Sequence, residues 1–434
     1  VQQNAQVELW LRPGAEATQG AVLREGRAAA VAVLGAGNFE APVEVLYKMF
    51  VEQKVVVYKP NPVNELCTAP MCAKLFGRLA ADGFFAVVRG GAEVGRAVLE
   101  HAGVDEALMT GGAATYDRIV WGGAGGAAEV ARNKAAGRKQ FTKPFEAELG
   151  AVTPWIVVPG RWTAAEMAQQ AGRLAMAKKA NGGAVCASPQ VVVVDADWPQ
   201  VDEYIDAVRA AFGRALPAPV YYPGWKEREA HFREALGGDE RCERVAPATV
   251  PAVDGELAVT LVAAAPAESA QVTREEAFAP VLTVVRLQCG NDPARFLKAA
   301  TEYANEKLFG TLSGSLIIDD RTAAAHAEAL ETAIAALEYG TLGVNAWGGD
   351  GAMQFITPWG AFPKHTPEDI QSGMGIIGNF RLYDHPEKTV IRKKFNERAP
   401  PLNPNKLLLR LAWLLAYPSY FRLLPLLSAA LLGI

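Results

Sequence analysis

Several residues of this sequence are of types that can carry chemistry, and one of them is Cys186. It lies in NGGAVCASPQ, residues 181–190, where the residues beside the sulfur are small. A cysteine has an ordinary pKa of about 8.5 and attacks an electrophile only as the thiolate. Because Cys186 follows a predicted helix C-terminus, the negative end of that helix opposes the thiolate. Two interpretations stay open: a small, inert core residue, or a nucleophile with clearance for a substrate.

Two further polar residues lie next to predicted strands. Glu148, in FEAELGAVTPWIVV, comes just before a strand in an apolar segment, where a carboxylate is costly to bury unless it is partnered or protonated. Asn38, in LGAGNFEAP, follows the first strand of the main sheet. Each also has an ordinary interpretation: Glu148 as a surface carboxylate, and Asn38 as a turn former.

A pair of glycines and a lysine complete this set. Gly111 and Gly112, in MTGGAATYD, end a strand and open a helix, where bare backbone suits a phosphate. The pattern differs from GxGxxG, so it does not by itself identify a dinucleotide site. Lys59 ends a strand directly before Pro60, and it is either a solvated strand end or a ligand contact at the carboxyl edge of a sheet.

The elements that must position these residues alternate between strands and helices. Four short apolar segments predict strands, and three amphipathic segments between them predict helices: strands 30–35, 54–59, 84–89 and 106–111; helices 41–53, 64–82 and 92–103. Such alternation implies parallel pairing through crossover helices. It predicts a doubly wound α/β domain, which binds ligands at the carboxyl ends of its strands.

A second α/β block is predicted over residues 151–345. Its helix 163–181 begins with a capping box of Thr163 and Glu166, and Gly182 and Gly183 end it. A further helix is expected over 322–340, before the strand TLGVNAW.

Residues 1–28 predict a hairpin of QVELWLR and GAVLREGR. An isolated hairpin is marginal alone, so it is expected to lie on another surface, such as a second subunit.

Composition excludes several classes of protein. The 434 residues are 50% hydrophobic and 21% charged with a net charge of −4, as in globular proteins, and no long basic run points to nucleic acid. The five cysteines include no CxxC pair, and the five histidines are not spaced as metal ligands. We therefore expect no disulfide framework and no metal site. A reducing compartment, the cytoplasm or an organellar matrix, is expected.

The last segment, residues 406–434, is strongly apolar but is interrupted by two arginines and two prolines. Its uninterrupted apolar runs are shorter than the roughly twenty residues of a membrane-spanning helix. Three alternatives stay open: a tail packed on the core or on a partner, an interfacial helix or hairpin giving peripheral membrane contact, and a transmembrane span.

Taken in order along the chain, these segments resemble the aldehyde dehydrogenase superfamily over about residues 5–381. LGAGNFEAP is similar to the Trp-Asn-Phe-Pro segment of that family, VVVYKPNP to its Lys-Pro strand end, and MTGG to its Phe-Thr-Gly-Ser turn. ELGAVTPWIVV resembles the Glu-Leu-Gly-Gly segment, NGGAVCAS the Gly-Gln-x-Cys loop, and REEAFAPVL the Glu-Glu-x-Phe-Gly-Pro-Val-Leu segment. ANEKLFGTLSGSLI and GTLGVNAW resemble two later segments of the family.

The resemblance implies a role for each of these residues. Cys186 would be the nucleophile toward an aldehyde, Asn38 would help hold the oxyanion, and Glu148 would activate the water that releases the acid. Cofactor contacts are implied for a second group, with NAD or NADP as the cofactor: Lys59, Gly111, Gly112 and Glu276. The resemblance also makes residues 1–28 an oligomerisation hairpin, so a homo-oligomer or larger assembly is expected.

The family also implies the domain organisation: a hairpin over 1–28, a Rossmann-type dinucleotide-binding domain over 29–150, a catalytic domain over 151–345, a C-terminal extension returning to the core over 346–405, and the apolar tail over 406–434. The sequence departs from the family in several places. Ala151 replaces the second glycine of Glu-Leu-Gly-Gly, no Gly-Gln precedes Cys186, and Pro62 stands where NAD-preferring members often carry a glutamate. The helical region that usually precedes the hairpin is also absent from this sequence.

Two other functions stay open beside aldehyde oxidation to a carboxylic acid. One is an acyl-CoA-linked reductase, whose thioester is exchanged with a thiol instead of being hydrolysed. The other is an enzyme-derived structural or assembly subunit with little activity.

Overall fold

The structure is a computed structural model that describes residues 5–20, 28–38, 43–123, 125–214, 222–246 and 259–397. These residues form two compact units. The six-stranded unit comprises Leu9–Gly150 and Gly351–Thr389. The nine-stranded unit comprises Ala151–Asp350 with the described residues 5–8 and 390–397.

The strands are β1 Gln6–Leu11, β2 Ala30–Leu34, β3 Val55–Lys59, β4 Phe85–Val87, β5 Glu106–Gly111, β6 Phe145–Leu149, β7 Thr153–Val157, β8 Pro189–Asp195, β9 Cys242–Val245, β10 Val259–Val262, β11 Val281–Leu287, β12 Ser313–Ile317, β13 Thr341–Val344, β14 Pro358–Trp359, β15 Gly373–Met374, β16 Ile377–Gly378 and β17 Pro386–Arg392. The α-helices are α1 Val43–Leu46, α2 Glu65–Leu75, α3 Gly77–Ala81, α4 Ala92–Glu100, α5 Ala113–Trp121, α6 Ala127–Ala135, α7 Ala164–Lys179, α8 Val201–Arg214, α9 Trp225–Ala235, α10 Ala270–Thr273, α11 Pro293–Lys307, α12 Asp320–Ala325 and α13 Ala327–Ala336. A π-helix covers Tyr47–Val51, and 3₁₀ turns cover Ala180–Gly183, Gly238–Glu240 and Gly348–Met353.

The six-stranded sheet has the order β15-β6-β5-β2-β3-β4. All its pairings are parallel except that of β15. Val31 and Val33 of β2 pack in the core on one face of the sheet, whereas Ala32 packs in the core on the other. Both faces are therefore covered, as the apolar strands require, and the predicted doubly wound α/β fold is confirmed.

A late segment of the chain completes this sheet. Strand β15 pairs antiparallel with β6, which places Gly373 opposite Glu148. The Leu149 N–H donates to the Ser372 carbonyl at 2.9 Å, and the Ser372 hydroxyl donates to the Gly150 carbonyl at 2.9 Å. The edge of β6 is thereby paired, and the backbone around Glu148 is fixed.

The nine-stranded sheet has the order β1-β17-β13-β12-β7-β8-β11-β10-β9. The pairings from β13 through β10 are parallel, and β10 pairs antiparallel with β9. Val191–Val194 lie in the centre of this sheet and are buried on both faces, which explains an uninterrupted valine run. Helix α7 begins with the predicted capping box: the Thr163 side chain accepts from the Glu166 N–H, and Glu166 accepts from the Thr163 N–H.

Several predicted helices differ in detail from the observed ones. The segment 41–53 forms α1 and then widens into the π-helix, where buried Lys48 bonds Glu52 and Glu146. The segment 64–82 divides into α2 and α3 because Phe76 leaves helical geometry and packs against Phe85 at 5.1 Å between ring centroids. The segment 322–340 starts earlier, at the cap Asp319, and breaks at His326.

The predicted hairpin is described only in part. Strand β1 matches QVELWLR, whereas residues 21–27 of the second strand lie outside the described residues. The apolar tail 406–434 lies outside them as well. Within the described ranges, no helix combines the length and apolarity needed to cross a membrane.

Gly373 gives a direct test of the contact between β15 and β6. Its φ is +112°, and a Cβ there would overlap the Ala147 carbonyl. We expect Gly373→Ala to lower the free energy of unfolding by about 3 kcal/mol or more, since backbone strain and steric overlap add. Gly14→Ala is the matched control: its φ is +78° with no atom within 4 Å of the added Cβ, so only about 1 kcal/mol is expected. Calorimetric unfolding measures both, and equal effects would contradict this packing.

Candidate active site

In the six-stranded unit, the candidate residues gather at the carboxyl edge of the sheet. Leu34, at the end of β2, lies opposite Lys59 of β3 on one side and Met109 of β5 on the other. Strand order reverses at β2. The chain continues through β3 and β4 on one side of it and through β5 and β6 on the other. The carboxyl edge at such a reversal is where doubly wound sheets bind ligands.

The loop after β2 is hydrogen-bonded to the end of β3 and to the segment that follows β3. The Gly35 N–H donates to the Lys59 carbonyl at 3.0 Å, and the Asn64 side-chain amide donates to the Ala36 carbonyl at 3.4 Å. Asn38, in the same loop, is 7% exposed. Its buried amide is therefore carried by a loop fixed to the sheet.

Lys59 is also buried, at 8% exposure. A solvated strand end would leave the ammonium in water, so that alternative from the sequence is wrong. A buried ammonium requires compensation by hydrogen bonds or negative charge.

The two glycines after β5 have different surroundings. A Cβ on Gly111 would lie 2.9 Å from the Met109 methyl carbon, whereas a Cβ on Gly112 would meet nothing within 4 Å. Gly112 is the N-cap residue of α5, and its carbonyl accepts from the Thr115 and Tyr116 N–H groups. Open backbone at the start of a helix suits a phosphate, so this edge fits a dinucleotide.

Glu148 is the fourth residue of β6 and is 6% exposed. The sequence placed it just before a strand, whereas the structure places it within one, opposite Thr110 of β5 and Gly373 of β15. The missed strand is short, and its period of two is hidden because β6 is covered on both faces. The surface interpretation of Glu148 is wrong, and the carboxyl group is held on a rigid, paired strand.

Cys186 lies in the nine-stranded unit, in the connection from α7 to β8. Helix α7 gives way to the 3₁₀ turn, in which Asn181 adopts φ +47° and its amide donates to the Ala184 carbonyl at 3.2 Å. The Ser188 N–H then donates to the Val185 carbonyl at 2.8 Å, closing a turn that contains Cys186. The sulfur is a partly exposed thiol, so the inert-core interpretation does not describe it.

Glu276 is partly exposed in the segment before β11, which packs beside this loop. A Cβ on Gly183 would lie 2.6 Å from the Ala279 carbonyl oxygen, so the two backbones nearly touch. Gln190 of β8 donates to the Glu275 carbonyl and accepts from the Ala277 N–H, each at 2.8 Å. Cys186 and Glu276 are therefore carried by neighbouring segments of one unit.

Lys178 was not among the predicted site residues. It is 1% exposed in the last turn of α7, and its ammonium donates to the Ser188 hydroxyl at 3.1 Å. Burial lowers the pKa of Lys178 to about 7, although the charge of Glu276 acts in the opposite direction. The signal was present: Lys178 falls four and seven residues after Leu174 and Ala171 on the apolar face of the helix.

The other cysteines have different surroundings. Burial raises the pKa of the Cys242 and Cys289 thiols, which disfavours their thiolates. Cys72 is buried in the core of the six-stranded unit, and Cys67 is exposed on α2. Among the described residues, no group of three or more His, Cys, Asp or Glu side chains could hold a metal ion.

Comparison with known proteins shows a similarity over part of the chain. Residues 39–219 match the model of the aldehyde dehydrogenase family. The match contains Lys59, the two glycines, Glu148 and Cys186, whereas Asn38 and Glu276 lie outside it.

Solved structures share the fold over most of the chain. One is the NADP-dependent glyceraldehyde-3-phosphate dehydrogenase of Bacillus halodurans C-125 complexed with NADP: 18% identity, 89% of this chain and 74% of that chain covered, TM-score 0.61. Another is the Mycobacterium tuberculosis aldehyde dehydrogenase complexed with NAD+: 21% identity, 88% and 74% covered, TM-score 0.61. The lactaldehyde dehydrogenase of Escherichia coli matches with 18% identity, 87% and 75% covered, and TM-score 0.61. Residues 39–219 are therefore similar to the aldehyde dehydrogenase family, and the chain has the α/β fold of aldehyde dehydrogenases of known structure.

Proposed function

We propose that this protein is an NAD(P)-dependent aldehyde dehydrogenase that oxidises an aldehyde to a carboxylic acid. The observation that carries the proposal is Cys186, a partly exposed thiol on a turn of small residues, within the segment that matches the family. Ala187 directly after it and Ala184 two residues before it are both small and buried.

In this proposal the Cys186 thiolate attacks the aldehyde carbon, and a carbon–sulfur bond forms as the carbonyl oxygen becomes an oxyanion. The Asn38 amide and the Cys186 backbone N–H hold that oxygen, a preorganised stabilisation of the developing charge. Asn38 suits this role because it is carried on a loop bonded to Lys59 and Asn64.

The nicotinamide cofactor, when bound, accepts the hydride that leaves the thiohemiacetal carbon. Gly111 and Gly112 border its pyrophosphate in this proposal, and Lys59 and Glu276 hold its riboses. The open backbone at Gly112 and the buried ammonium of Lys59 support the assignment. Of the solved structures with this fold, one is complexed with NADP and another with NAD+.

The last step is hydrolysis of the thioester on Cys186. Glu148 takes a proton from water, the water oxygen bonds the acyl carbon, and the thiolate leaves. A base must be held in one position to act on every turnover, and the paired strand around Glu148 supplies that rigidity. With Glu148 as the base, water releases the acyl group as a carboxylic acid. An acyl-CoA-linked reductase would instead transfer the acyl group to coenzyme A.

The remaining expectations about partners and location stay predictions. They are assembly into a homo-oligomer, lipid contact through 406–434, and a cytoplasmic or organellar location.

Removing the nucleophile tests the proposal directly. We expect Cys186→Ser to reduce aldehyde-dependent NAD(P)H formation on the order of a thousandfold or more, with propanal and decanal as short and long probes. Cofactor should still raise the melting temperature of the variant, because binding stabilises the folded state. Cys67→Ser, at an exposed cysteine on α2, is the matched control and should keep full activity. Undiminished turnover by Cys186→Ser would exclude this nucleophile.

Removing the base should separate the two chemical steps. We expect Glu148→Gln to form one equivalent of NAD(P)H rapidly and then to turn over about a hundredfold or more slowly, because only thioester hydrolysis needs the base. Stopped-flow absorbance measures both phases. Glu146→Gln, two residues earlier on β6, is the control and should show the wild-type steady-state rate.

Coenzyme A distinguishes the alternative reaction. Added to Glu148→Gln, it should leave the slow phase unchanged. Restoration of rapid turnover with formation of acyl-CoA would identify an acyl-CoA-linked reductase instead. Absence of both cofactor binding and turnover in the wild type would favour the structural subunit.

A further inference from the structure

Lys178 is a buried amine that none of the proposed catalytic steps uses. Its side chain is 1% exposed, and its ammonium donates to the Ser188 hydroxyl at 3.1 Å. Ser188 is itself 7% exposed, so this contact is shielded from water. A hydrogen bond to a charged group is stronger in such surroundings than at the surface.

The partner of Lys178 belongs to the turn that carries the nucleophile. Ser188 closes the turn with its N–H on the Val185 carbonyl at 2.8 Å, and Cys186 is the residue after Val185. The Trp347 indole donates to the Ala187 carbonyl at 2.8 Å, which fixes the middle of the same turn. Lys178 therefore bonds one end of a short, immobilised loop, with Cys186 two residues from its partner.

The position of this amine also bears on how a thiolate at Cys186 could be stabilised. Cys186 follows the C-terminus of α7, where the helix dipole opposes negative charge. A cation in the last turn of that helix compensates the dipole and attracts a thiolate. Burial disfavours the charged ammonium, and it therefore lowers the pKa of Lys178 to about 7.

We propose that Lys178 is a positioning residue, acting through Ser188 to hold the turn of Cys186 and to favour the thiolate form of its sulfur. The inference rests on the proposed role of Cys186 as the nucleophile. Ionisation breaks the sulfur–hydrogen bond, and the proton is taken up by the neutral Lys178 amine, whose ammonium form donates to the Ser188 hydroxyl. A thiol and an amine thus become a thiolate and an ammonium, with no net change in charge.

The charged groups around Lys178 are consistent with this exchange. Glu276, from the segment before β11, raises the pKa of Lys178 and so favours the ammonium. Arg228 donates to the Ala277 and Phe278 carbonyls of that same segment, which holds it in place. Lys179, next to Lys178 and 7% exposed, is a second cation at the same helix end.

The test is the rate at which iodoacetamide alkylates Cys186 in the full chain, measured by peptide mass spectrometry from acidic to alkaline pH. Near neutral pH we expect Lys178→Met to slow alkylation about tenfold, the effect of raising the thiol pKa by about one unit. Ser188→Ala should slow it about threefold. All rates should converge at alkaline pH, where every form of the thiol is ionised.

Lys179→Met is the matched control, because it removes the neighbouring buried cation without touching the bond to Ser188. It should slow alkylation by about threefold or less, because it removes one charge at the helix end and leaves the bond of Lys178 to Ser188 in place. An unshifted pH profile in folded Lys178→Met, or an equal shift in Lys179→Met, would overturn the proposal. If Lys178→Met does not fold, as thermal melting would show, an unshifted profile in Ser188→Ala overturns it.

This measurement needs neither aldehyde nor cofactor, so it is independent of turnover. A shifted profile in a protein that oxidises no aldehyde would refute the proposed function and leave the role of Lys178 intact. Normal turnover with an unshifted profile would refute the role of Lys178 and leave the proposed function intact.

Discussion

The close approach of Gly183 to the backbone of Ala279 and Pro280 is the constraint on which the Cys186 loop depends. No side chain fits at Gly183, and the chain reaches it from α7 through the left-handed residues Asn181 and Gly182. The chain is then directed into β8, where Gln190 bonds the backbone on both sides of Glu276. One packing contact thus fixes the segments that carry the proposed nucleophile and a proposed cofactor ligand.

In the six-stranded unit, polar groups are buried at the edge of a sheet that is covered on both faces. Lys59 and Glu148 are each less than a tenth exposed, and both are carried on paired strands. Burying a charged group costs free energy, and such groups are concentrated at functional sites. In the six-stranded unit these ionisable groups lie on paired strands, whereas in the nine-stranded unit Cys186 and Glu276 lie in the connections that precede β8 and β11.

Much of this arrangement is predictable from sequence. Apolar runs such as 54–59 predicted strands, and the Thr163 capping box predicted the start of α7. The position of Glu148 within a strand was missed, because β6 is recognisable only by its pairing with β5 and β15. Ser372 was missed for a related reason, because its contact with Gly150 is 222 residues away in sequence. Long-range packing decides which polar residues are buried, and local patterns do not encode it.

The central claim is that Cys186 carries the acyl group during turnover. The most direct measurement is peptide mass spectrometry of Glu148→Gln quenched after mixing with decanal and NAD+ or NADP+. The account predicts a decanoyl group on the peptide that contains Cys186 and on no other cysteine peptide, in amounts matching the NAD(P)H formed. NAD(P)H formation with no acyl group on that peptide, or with the acyl group on another cysteine, would contradict it.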